Sequence, residues 1–167
     1  MSKKVTTGLV QVKVDSDKIN TFFNRLDLNN NERKKAIKAA LRKSVLIIRK
    51  QAQTNLVNKI PATKTKGVGR NGESYKPLKN EINIAVYKNA SGARVDMIDK
   101  RKKGSRAFLL RFFNQGAAGR ATKKGYNRGS IEANFFFQDA VIAKKTEAEK
   151  SLEQNIIDMI QKAASKK

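Results

Sequence analysis

The sequence predicts an α+β fold: a small antiparallel β-sheet of three to five strands, packed by one long helix in the N-terminal half and a long helix at the C-terminus. Three observations carry this. Apolar residues alternate at period two in residues 5–14 and in two runs across residues 82–97. They recur at three and four residues across 31–59 and 134–164. Asn89-Ala90-Ser91-Gly92 separates the two middle alternating runs, as the turn of a hairpin does.

Val10, Val12 and Val14 alternate with Gln11 and Lys13 and read as a first strand. Asp15, Ser16 and Asp17 supply turn and cap groups, and Ile19, Phe22, Phe23 and Leu26 then place a short helix over 17–26. Asn31 and Glu32 open the strongest helix. The Asn31 side chain can accept from orphan first-turn amides, and Glu32 suits the positive helix end. Ala36, Ile37, Ala40, Leu41, Val45, Ile48, Ala52 and Leu56 make one apolar stripe that ends before Pro61. Lys34, Lys35, Lys38, Arg42, Arg49 and Lys50 fall mostly off that stripe, on a solvated face.

Residues 61–78 show no periodicity and read as an exposed, mobile loop. Their GVGRNG run is not a phosphate loop, because it lacks a Gly-Lys-Ser/Thr ending and the flanking strand and helix. Ile82, Ile84 and Val86 form one hairpin strand, and Ala93, Val95 and Met97 the other. Residues 99–106, DKRKKGSR, are the densest positive block and are expected at a loop tip. Residues 108–113, FLLRFF, are expected to add a strand to the same sheet. In the last helix Phe136, Ala140, Val141, Ala148, Leu152, Ile156, Met159 and Ile160 keep helical spacing, and Lys144-Lys145-Thr146 marks an expected kink or second start.

The stretch 107–141 organises the chain. Its two aromatic clusters are useful only if they meet in one core, so Phe108, Phe112, Phe113, Gly116, Phe135 and Phe136 form the candidate core and assembly set. The basic, glycine-rich segment 117–129 between them is then a second mobile loop, held at both ends and free in the middle.

Composition bounds the function. The 167 residues are expected to form a single domain, with hydrophobic content of 39%. Charge is one-sided: 37 Lys+Arg against 14 Asp+Glu, a net +23. Self-repulsion of that size calls for anions or an acidic partner. The absence of cysteine excludes disulfides and thiolate zinc sites, and the absence of histidine removes the commonest general base and metal ligand. Asp96 and Asp99 point to opposite faces of a strand, and Asp15 and Asp17 serve a turn, so no carboxylate set marks a magnesium site. Ser105, Thr122 and Ser130 have no histidine to activate them. The chain is therefore expected to be non-enzymatic, without cofactor or metal. No apolar run reaches the length of a membrane span, and the opening MSKK lacks the apolar core of a signal peptide.

Three basic, glycine-bearing blocks supply the candidate contacts to DNA or an acidic partner: Lys64, Lys66 and Arg70; Lys100, Arg101, Lys102, Lys103 and Arg106; Arg120, Lys123, Lys124 and Arg128. Such loops grip phosphates or carboxylates without reading base sequence. Only Tyr75 and Tyr126 interleave them, too few for a base-stacking platform.

The pattern Arg111-Phe112-Phe113-Asn114-Gln115-Gly116, a loop, and then Ile131-Glu132-Ala133-Asn134-Phe135-Phe136 resembles the phage tail-completion and neck proteins of the lambdoid head–tail joining family. Gln115 stands in place of that family's aromatic before the glycine, and Asn134 where a basic residue and proline are usual. The resemblance implies a structural virion protein, assembled in the host cytoplasm. It would be a monomer in solution that forms a homo-oligomeric ring between portal or connector and tail proteins. Part of such a ring faces the channel, where its charge would meet packaged double-stranded DNA or acidic portal surfaces. Composition alone favours the alternative, a sequence-nonspecific, basic nucleic-acid-binding accessory protein.

Overall fold

The computed structural model describes residues 10–13, 30–69, 71–97, 106–119, 121, 123, 125–127 and 129–165. The short helix expected over 17–26 lies outside them. In chain order the elements are β1 (Val10–Lys13), α1 (Asn30–Lys59), a 3-10 turn (Pro61–Lys64), β2 (Gly67–Val68), β3 (Ser74–Tyr75), a second 3-10 turn (Leu78–Glu81), β4 (Asn83–Val86), β5 (Gly92–Asp96), α2 (Phe108–Gln115) and α3 (Phe136–Ala164).

The fold is α+β. The main sheet has three antiparallel strands in the order β1-β5-β4. The central strand, β5, pairs Val95 with both Val10 and Ile84, and Ala93 with both Val12 and Val86. The β4–β5 turn closes where the sequence places it. Tyr87 N–H donates to Gly92 O, and Asn89 Oδ1 accepts from both the amide and the hydroxyl of Ser91. Asp96 is buried at the end of β5, with Arg94 Nε 2.9 Å from its Oδ2.

The α1 stripe is the floor of the core. Ile37, Ala40, Leu41, Val45, Ile48, Ala52 and Leu56 are all buried, each large one contributing about 1.5–3 kcal/mol of apolar transfer. One side of α1 lies on β4 and β5, and α3 packs along another. Small buried residues on both helices (Ala40, Ser44 and Ala52 on α1, Ala140 and Ala148 on α3) leave room for close packing. Ser44, fully buried, donates its hydroxyl to the Ala148 carbonyl, so its polar group is satisfied there. Helix α3 runs unbroken through Lys144-Lys145-Thr146, against the expected kink.

The expected strand at 108–113 is instead the helix α2. A six-residue apolar run cannot distinguish period two from period 3.6. The buried positions do distinguish them: Ala107, Leu110 and Asn114 are inside, at spacings of three and four. FLLRFF also contains no β-branched residue and carries two leucines and an arginine, all good helix formers. Residues 61–78 are likewise more ordered than their sequence suggests. They hold a 3-10 turn and a two-stranded ladder pairing Gly67 with Tyr75 and Val68 with Ser74.

Candidate functional site

The two aromatic clusters do meet, and one polar residue joins them. Asn114, the last buried position of α2, is fully enclosed. Its Oδ1 accepts the backbone amide of Phe137, one of the orphan donors in the first turn of α3. Its carbonyl accepts the amide of Phe135, and the Phe113 carbonyl accepts that of Asn134. Next along the chain, Ala117 and Ile131 exchange both backbone hydrogen bonds, at 2.8 and 2.9 Å.

Gly116 makes this junction possible. It ends α2 at φ +76, and a Cβ there would sit 2.8 Å from the Ile131 carbonyl oxygen. Phe135, the residue before α3, is also left-handed, at φ 48. A non-glycine residue pays about 1–2 kcal/mol for that conformation. The sharp turn sends Phe136 and Phe137 inward while Phe135 stays about half exposed.

The candidate core and assembly set therefore divides. Phe136 is buried, and Phe113 packs on the core from its margin. Phe108 is exposed and meets Phe112 edge-to-face, with ring centroids 6.3 Å apart. Phe108 and Phe135 are thus surface aromatics, contrary to a purely core reading.

Beyond the Ala117–Ile131 pair, the described residues up to Ser130 are all exposed. A second bridge joins Ala121 to Asn127, and Asn127 Oδ1 accepts the Gly129 amide. Lys123 and Tyr126 are exposed between Ala121 and Asn127. Lys64 and Lys66 are exposed at and just after the first 3-10 turn. Arg70, Lys100, Arg101, Lys102, Lys103, Arg120, Lys124 and Arg128 lie outside the described residues.

Arg106 is not available as an outward-facing cation. Its guanidinium lies over the Tyr75 ring, 4.8 Å from the centroid, and reaches the Lys76 carbonyl at 3.5 Å. A Cβ on Gly67 would overlap that guanidinium, so glycine is what lets the arginine cross β2. The Tyr75 hydroxyl donates to Glu73, at 2.6 Å, and this hydrogen bond holds the phenol pKa above its ordinary value. Arg106 thus ties the start of α2 to the β2–β3 ladder.

No family model, curated protein or solved structure matches the chain. Its chemistry must be read from its own residues. Among the described residues no group of three or more acidic side chains is placed to hold a metal ion, and no helix is long and apolar enough to cross a membrane. The charge is unevenly distributed. No acidic residue occurs between Glu32 and Glu73, a stretch that contains nearly all of α1 and the first basic block. In contrast, α3 intersperses Asp139, Glu147, Glu149, Glu153 and Asp158 with its lysines.

Sequence reasoning missed Asn114 and the Arg106–Tyr75–Gly67 cluster. Asn114 had one available signal, a helical spacing of four from Leu110, visible only once 108–113 is read as helix.

Proposed function

We propose that this chain is a non-enzymatic structural virion protein, a ring-forming subunit of the phage head–tail connector or neck that acts in tail completion or head closure. The observation that carries the reading is the exposed segment at the α2–α3 junction, basic in sequence, between Ala117 and Ile131. Its base is fixed by the Ala117–Ile131 pair and it presents Lys123 and Tyr126. A segment held at its root and exposed beyond it suits docking between subunits. The order of elements in the resembled family also supports it: strand, long helix, long loop, hairpin, aromatic run with glycine, basic loop, final helix. The helical form of α2 departs from the aromatic strand of that pattern. The glycine turn and the phenylalanine start of the last helix agree with it.

In this reading the partners are other copies of the chain and the portal, connector and tail proteins. The excess positive charge faces packaged double-stranded DNA or acidic neighbours. One observation favours a second reading, a sequence-nonspecific nucleic-acid-binding accessory protein: the acid-free stretch between Glu32 and Glu73. Sedimentation of the purified protein at low and high salt, with and without duplex DNA, separates the two. A monomer that forms discrete rings, with weak salt-sensitive DNA association, is the expected result. A persistent monomer binding DNA tightly and stoichiometrically overturns the ring reading.

A further inference from the structure

An open groove of about 380 Å³ lies between the C-terminal half of α1 and the two 3-10 turns. Lys50, Thr54 and Asn58 line it from α1 at four-residue spacing, so they share one helix face over about 12 Å. Lys64 enters from the first 3-10 turn and Lys79 from the second. Three lysines from three separate segments therefore line one concavity, with the Gln53 and Asn58 amides, the Thr54 hydroxyl and Val57 beside them and no acidic residue in its lining.

The walls are built. The first turn is anchored by Thr63, buried, whose hydroxyl donates to the Ile60 carbonyl at 2.7 Å. The second is anchored by buried Leu78, and by Gln53, whose Nε2 donates to the Lys79 carbonyl at 2.9 Å. Among the described residues, none of the three lysines makes an ion pair. Their like charges repel, and a bound anion would relieve that repulsion.

We propose that this groove binds the phosphodiester backbone of nucleic acid, and that it continues along the outer face of α1. Arg42 and Lys35 are exposed one and two steps of seven to eight residues before Lys50, which extends the cationic line by about 22 Å. A long line of one sign fits a uniformly charged polymer better than an acidic protein surface, where charges of both signs alternate. No aromatic side chain lines the groove, so it grips phosphates and does not stack bases. The inference rests on the DNA contact in the reading above, and moves its centre from the glycine-bearing loops to α1.

The test compares two triple variants of the full chain with equal charge loss: Lys50→Ala/Lys64→Ala/Lys79→Ala in the groove, and Lys145→Ala/Lys150→Ala/Lys162→Ala on α3. Binding to a fluorescent 30-base-pair duplex is followed by anisotropy from low to high salt. The groove triple is expected to weaken binding at least tenfold and to lower the salt slope by about 2–3, near 0.9 for each phosphate that is no longer neutralised. The α3 triple is expected to weaken it less than threefold. Lys50→Glu, a single change at an exposed helix position, is expected to move binding in the same direction and guards against misfolding of the triple.

Equal losses in both triples, no salt-sensitive duplex binding by the parent chain, or equal competition by polyglutamate at matched charge overturns the proposal. Sedimentation of the same samples without DNA reports ring formation separately. Rings without groove-dependent binding sink this inference alone, and groove-dependent binding by a persistent monomer sinks the ring reading alone.

Discussion

The Oδ1 of Asn114 accepts the backbone amide of Phe137 at 3.1 Å, and this one bond joins the end of α2 to the first turn of α3 inside the core. Without it a buried N–H at the start of the longest C-terminal element has no acceptor. Asn114→Ala is therefore expected to destabilise the fold by about 1 kcal/mol, because it orphans the Phe137 amide but also removes the Asn114 Nδ2 donor, which is buried without a partner among the described residues. Urea denaturation checks it. A midpoint unchanged from the parent chain would show that the bond does not hold the junction.

Gly116 and Gly125 both have positive φ, at +76 and +81, but differ in surroundings. A methyl group at Gly116 meets the Ile131 carbonyl oxygen and the Ala133 amide, whereas at Gly125 it meets nothing within 4 Å among the described residues. Gly125→Ala should cost about 1 kcal/mol, from the left-handed conformation alone. Gly116→Ala should cost more, since the clash adds to that strain and opens the Ala117–Ile131 pair. Thermal unfolding of the two variants side by side gives the ordering.

Helix α2 makes a prediction that a strand at the same residues would reverse. Leu110 is fully buried and Phe108 is exposed. Leu110→Ala is expected to destabilise by about 2–5 kcal/mol. Phe108→Ala should cost about 1 kcal/mol, mostly its edge-to-face packing with Phe112. In a strand, Phe108 and Leu110 would share a face and the two changes would be similar in size. Chemical denaturation of both variants decides between these outcomes.

Tyr75 titrates above its ordinary value of 10.0, first because it donates a hydrogen bond to Glu73 and then through burial and the Glu73 charge, with Arg106 opposing. A raised phenol pKa means that the neutral form is favoured in the folded chain. The stabilisation from this hydrogen bond is fully present below pH 10 and disappears as pH rises through the folded value. Absorbance of phenolate near 295 nm, as the difference between the parent chain and Tyr75→Phe, is expected to show a titration that moves down in Glu73→Gln.

Much of the fold was legible in the sequence because it depends on long, strongly periodic segments. The stripe from Ile37 to Leu56 defines α1 almost to the residue, and the alternations around Asn89-Ala90-Ser91-Gly92 define β4 and β5. The errors fall where local signals are short or depend on distant groups. FLLRFF is too brief to reveal its period, and its inward face is set by Asn114 meeting Phe137, 23 residues further along the chain. Arg106 lies over Tyr75 of the β2–β3 ladder, a pairing that no local composition announces. The groove was missed for a related reason. Lys50 and Lys79 look like ordinary solvated lysines until the 3-10 turns bring them beside Lys64.

The paired backbone of Ala117 and Ile131 separates the root of the 117–131 segment from its contents. What lies between them behaves as a cassette. Doubling its length would add only about 0.6 kcal/mol of closure entropy, and the register of α3 would not change, because Asn114 and Gly116 fix it from the other side. The chain can thus exchange the part that meets a partner without rebuilding the part that folds.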